Sequence, residues 1–229
     1  MRYPEIDFKI KKETDFYLYK IFSKENRRIL DACFYNLYSD LSCLKKKNLS
    51  SKEKIKVIKN FIEEYYKKHQ REIEENLMEI EKDWNGIKND FFRLVDKIFK
   101  NHPWPKGKYI AYVTIWGIYP RDIEEKIFFI PYKDKKLALE VIAHEMLHFI
   151  FYDYLYSHYP KYKKKKYQKR IWKISESFNV IIQNQREWVA LFHKRPEVYP
   201  ELKKLIQKIR KIWREKKDID YLLKKILPR

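Results

Sequence analysis

The stretch Ala143-His144-Glu145-Met146-Leu147-His148-Phe149 sets H-E-x-x-H inside an apolar run. On a helix, histidines at i and i+4 point the same way, about 40° apart around the axis. Both imidazoles can then reach one metal ion. Glu145, beside the first histidine, can hold and deprotonate a metal-bound water. Leu137, Val141, Leu147 and Ile150 recur at helical spacing, and Ile142, Met146, Phe149 and Phe151 widen the apolar surface. The pattern predicts a largely buried helix from about Asp134, which can cap it, to Tyr156. His and Glu inside such a helix are costly unless something binds them. The plain alternative is a helix with two incidental histidines.

Upstream, Tyr109–Gly117 and Lys126–Pro131 are rich in β-branched and aromatic residues and read as two strands. The second is either an edge strand able to hold an extended peptide or an inner strand of a small sheet. Pro and Gly make residues 101–107 a loop and a candidate boundary. Residues 1–22 alternate weakly and suggest a short strand or extended arm. Ser23 can cap a helix to about Lys46. Ser50 and Glu53 form a capping box that opens a helix to about Trp84, with Gly86 as its stop. Another helix fits Ile87–Lys100. The expected class is α+β and mostly helical: a helical N-terminal region, residues 1–101, and a catalytic region, residues 102–229.

A catalytic zinc takes three protein ligands and leaves one position for water. His144 and His148 supply two. Downstream, Ile171, Ile174, Phe178 and Ile181 or Ile182 mark the buried side of a helix with one acid in its middle, Glu176. Trp172 and Asn179 flank it along the helix, so it lies on no charged face. An acid there needs a cationic partner, which makes Glu176 the first candidate for third ligand. Glu187, His158 and His193 are its rivals. Tyr156, Tyr159, Tyr167 and His193 are candidates for steadying an oxyanion. Beyond Pro196 and Pro200, Leu202, Leu205, Ile209 and Ile212 face one side of a basic amphipathic helix, with Trp213 beside them. Asp218 or Asp220 opens a last helix.

These marks resemble the gluzincin branch of the zincin metallopeptidases over about residues 109–190. The small minigluzincin-like scaffolds of thermophilic prokaryotes are similar in economy. The resemblance implies a zincin-like core, a Zn2+ cofactor held by His144, His148 and Glu176, and Glu145 as general base for cleaving a peptide or protein substrate. The resemblance does not extend to the helical block at 23–100. The metzincin pattern is excluded, because Tyr154 stands where its third histidine is required. DNA-repair proteases of the SprT type share H-E-x-x-H but use a third histidine, which would select His158. A latent or non-catalytic zinc protein is the other alternative.

Composition sets the outer bounds. Apolar residues make up 45% and aromatics 17%, ample for a core. No apolar run reaches the length of a membrane span, and Met1–Asp7 has no signal-peptide character, so a cytoplasmic protein is expected. Cys33 and Cys43, ten residues apart in one predicted helix, cannot pair there and suit a reducing compartment. The net charge of +20 admits nucleic acid as a partner. With only three Gly among many Lys, Ile and Glu, it also fits a hyperthermophile's ordinary surface, which is the favoured reading.

Overall fold

The computed structural model describes residues 3–24, 27–45, 49–193 and 199–228; the expected turn at Pro196 lies outside them. The described chain is mostly helical with one four-stranded mixed sheet, the α+β class expected. Two compact units divide it. The sheet unit comprises Glu5–Asp83 and Lys108–Val141; the site unit comprises Met1–Pro4, Trp84–Gly107 and Ile142–Arg229.

In the sheet unit, β1 (Ile6–Lys9), β2 (Tyr109–Thr114), β3 (Arg121–Asp122) and β4 (Ile127–Pro131) run in the order β1-β2-β4-β3. β1 lies parallel to β2, with Ile6 opposite Tyr109, and β2 lies parallel to β4, with Ile110 opposite Ile127. Tyr109, Ala111 and Val113 alternate into the core, whereas Phe128, Phe129 and Ile130 are buried in succession. That unbroken run marks a strand covered on both faces. The edge-strand reading of residues 126–131 is therefore overturned: β4 is an inner strand. Asp122 Oδ1 accepts from the N–H groups of Glu124 and Glu125, and Lys126 adopts φ 55°. This tight turn folds Arg121–Asp122 back onto Phe128 and Ile127 and covers the edge.

Helix α1 (Lys12–Phe22) occupies residues read as extended. Asp15, Leu18 and Tyr19 are buried at i, i+3 and i+4, so tertiary contact overrides the β preference of the aromatic run. Ser23 ends this helix instead of starting one, its N–H donating to the Tyr19 carbonyl. The helix expected at 23–46 is replaced, over the described residues, by α2 (Arg27–Leu30), a π turn at Asp31–Tyr35 and a 3-10 segment at Ser39–Lys45. The packing of this stretch explains the breaks. Phe34 meets Trp116 at 4.8 Å between centroids, and Gly117 N–H reaches the Cys33 carbonyl at 3.0 Å. A Cβ at Gly117 would meet Leu37 Cδ1 at 3.2 Å. Cys33 and Cys43 are both free thiols.

The capping box forms as read: Ser50 N–H donates to Glu53 Oε2 and Glu53 N–H to Ser50 Oγ. The helix it opens, α3 (Ser51–Phe99), runs through Gly86 without a stop. A glycine inside a helix costs about 1 kcal/mol. Phe91, Phe92, Val95 and Phe99 beyond it are all buried and outweigh that cost.

The remaining helices are α4 (Lys135–His158), α5 (Lys165–Gln183), α6 (Arg186–Phe192), α7 (Lys203–Glu215) and α8 (Ile219–Ile226). Asp134 caps α4 by accepting from Leu137 N–H at 2.9 Å, and Asp218 caps α8 through Tyr221 N–H. In the site unit, Phe178 sits among Phe151, Trp213 and Phe99 at 5.4, 5.5 and 6.0 Å. Among the described residues, no helix is long and apolar enough to cross a membrane.

Candidate metal centre

Helix α4 is buried almost all round in its middle turns: Ile142, Ala143, Met146, Leu147, Phe149, Ile150 and Phe151 are at most 1% exposed. A helix hydrophobic on every side belongs at the centre of its unit. His148 and Glu145 are buried with it, while the His144 side chain keeps 24% of its surface open. The cluster is therefore reached from the His144 side.

Helix α5 supplies the facing wall. Ile171, Ile174, Phe178 and Ile182 are buried as the spacing predicts, and Glu176 is 3% exposed. The carboxylate reaches both histidines. Glu176 Oε2 lies 3.3 Å from His144 Nε2, and Oε1 lies 3.3 Å from His148 Nε2. The two Nε2 atoms are 3.0 Å apart. His144, His148 and Glu176 thus each offer a ligand atom, all within 4.8 Å of one another, and could hold a metal ion.

The other ring nitrogens are occupied. His144 Nδ1 faces Gln183 Oε1 at 3.1 Å, and His148 Nδ1 faces Ser175 Oγ at 2.6 Å. With Gln183 Oε1 as acceptor, the matching tautomer of His144 is protonated at Nδ1 and leaves the Nε2 lone pair for the cluster. Asn179 Nδ2 donates to the His144 carbonyl at 3.1 Å and ties the two helices together. Ser175, Glu176, Asn179 and Gln183 form one polar stripe along the buried half of α5. Of the nine buried polar or charged side chains among the described residues, seven belong to α4 or α5. Polar burial on that scale needs a partner or a purpose.

The rival ligands stand elsewhere. His158 Nδ1 donates to the Tyr154 carbonyl at 2.8 Å, and its ring stacks on Tyr154 at 4.2 Å. Glu187 is exposed in the first turn of α6, and His193 is exposed at its end with φ 57°. Tyr159 and Tyr167 pack against Tyr162. The ring beside His148 is Tyr152, with centroids 6.3 Å apart, and Tyr156 follows at 5.6 Å from Tyr152. Tyr152 was missed in the sequence, although it stands at i+4 from His148, the same spacing that joins the histidines. Ser175 and Gln183 were missed as well. Their signal was the polar stripe at i, i+1, i+4 and i+8 from Ser175.

No family model, curated protein or solved structure matches the chain.

Proposed function

We propose that the chain is a zinc-dependent metallopeptidase with a zincin-like core of gluzincin type. The observation that carries this reading is the convergence of His144 Nε2, His148 Nε2 and Glu176 on one point. A tetrahedral zinc site with bonds of about 2.0 Å has ligand atoms about 3.3 Å apart. The two Nε2 atoms stand 3.0 Å apart, and each has its own oxygen of the Glu176 carboxylate at 3.3 Å, Oε2 for His144 and Oε1 for His148, close to that spacing. Two neutral imidazoles and one carboxylate are also a donor set that zinc prefers.

In this reading His144, His148 and Glu176 hold the ion, while Ser175 and Gln183 keep the imidazoles turned toward it. Zinc, when bound, polarises the scissile carbonyl and acidifies a water. Glu145, adjoining His144 in sequence and buried, takes a proton on its carboxylate and returns it to the leaving amine. The exposed side of His144 is where a peptide or protein substrate enters. Free Cys33 and Cys43 fit a reducing, cytoplasmic setting.

Elemental analysis of the purified chain tests the site, and hydrolysis of an unstructured protein tests the activity. One zinc per chain is expected, lost in His148→Ala and Glu176→Ala. Glu145→Gln should keep the zinc and lose cleavage by 100-fold or more. A metal-free wild type, or full activity in Glu145→Gln, overturns the reading.

A further inference from the structure

The basic residues look evenly spread along the sequence, but the fold sorts them. The site unit carries 28 Lys and Arg against 11 Asp and Glu, a net +17; the sheet unit carries 24 against 21, a net +3. A charge set by composition alone would load both units alike.

Within the site unit the excess gathers on two packed elements. Lys161, Lys163, Lys164, Lys165, Lys166, Lys169 and Arg170 are all exposed, and no acid occurs from Pro160 to Ser175. Helix α7 packs on α5 and exposes Lys203, Lys204, Lys208, Arg210, Lys211 and Arg214, again with no acid before Glu215. Gln207, Arg210, Lys211, Arg214 and Glu215 line an open depression on its outer face. The row on α7, from Lys203 to Arg214, is about 18 Å long at 1.5 Å per residue, enough to follow several phosphates of a strand.

We propose that this face of the site unit binds single-stranded nucleic acid through its phosphates. Two observations favour that partner over an anionic membrane. Among the described residues, the large aliphatic side chains left exposed, Ile10, Leu37, Ile55 and Met78, all belong to the sheet unit. A membrane-surface helix needs such side chains on its buried face. Aromatic rings stand among the cations instead: half-exposed Tyr199 pairs with Trp172 on α5 at 6.1 Å, and Lys166 caps the Tyr167 ring at 4.9 Å. Rings beside a basic track are the stacking platforms of single-strand binders.

Fluorescence anisotropy with a labelled 20-nucleotide single strand, between 50 and 200 mM salt, tests the proposal on the full chain. Affinity should fall steeply with salt. The triple variants Lys165/Lys166/Lys169→Glu and Arg210/Lys211/Arg214→Glu should each weaken binding 10-fold or more. A charge-matched control on the sheet unit, Lys52/Lys56/Lys68→Glu, should change it less than 3-fold. Glutamine versions of the same sites serve where charge reversal disturbs folding. Tyr199→Ala should weaken binding 3-fold or more. Equal losses in both units, or binding to anionic phospholipid vesicles without binding to the oligonucleotide, overturns the assignment. Glu145→Gln should bind the strand like wild type, so loss of the peptidase reading would leave this result intact.

Discussion

His148 Nδ1 and Ser175 Oγ lie 2.6 Å apart across α4 and α5, both fully buried. The contact holds the imidazole with Nε2 toward Glu176, and Gln183 does the same for His144 at 3.1 Å. Removing such a partner typically lowers metal affinity 10- to 100-fold. On the proposed zinc reading, Ser175→Ala and Gln183→Ala should therefore weaken metal binding by that factor, read by competition with a chromophoric chelator. Neither should lower the thermal midpoint as far as a core truncation does. Unchanged affinity in both would mean that the imidazoles are held by packing alone.

Asp15 predicts a pH dependence seated in the sheet unit. Burial pushes its carboxyl up to about 7, against the opposing hydrogen bonds from Thr114, Tyr66 and Ile115. The folded chain then keeps a proton that the unfolded chain releases near pH 4. Stability from this group is full below the unfolded pKa and declines as pH rises from about 4 to about 7. The span is roughly three pKa units, or on the order of 4 kcal/mol. Asp15→Asn should flatten that decline. Urea unfolding of both proteins between pH 4 and 8 checks it; parallel curves would place the titration elsewhere.

Phe178 tests the packing behind the site. It is fully buried among Phe99, Phe151 and Trp213, on the helix that carries Glu176. Phe178→Ala should cost about 3–5 kcal/mol by denaturant unfolding. A cost below 1 kcal/mol would mean that this cluster collapses to fill the gap.

What the sequence made legible follows from the range of each cause. The capping box at Ser50, the Asp134 cap and the H-E-x-x-H helix depend on residues within one or two turns of each other, and all three form. Glu176 could be singled out because an acid among Ile174, Phe178 and Ile181 needs a partner wherever the helix packs. The inner position of β4 depended on a turn at Asp122 that only the pairing of Arg121 with Phe128 makes visible. The breaks between Arg27 and Lys45 depended on contacts of Phe34 and Cys33 with residues more than 80 positions away. Local patterns cannot report such distant partners.

Gly86 offers the sharpest test of the long helix. As a helix stop, it would take a left-handed conformation in which alanine is strained. In the structure it lies inside α3 with no positive φ, and a Cβ built on it meets nothing within 4 Å. Alanine there gains helix propensity and restricts the unfolded chain, and it has open space to enter. Gly86→Ala should therefore raise stability by about 1 kcal/mol. Thermal unfolding followed by circular dichroism at 222 nm reads the effect. A lower midpoint would mean that the chain turns at Gly86, and α3 would then be two helices.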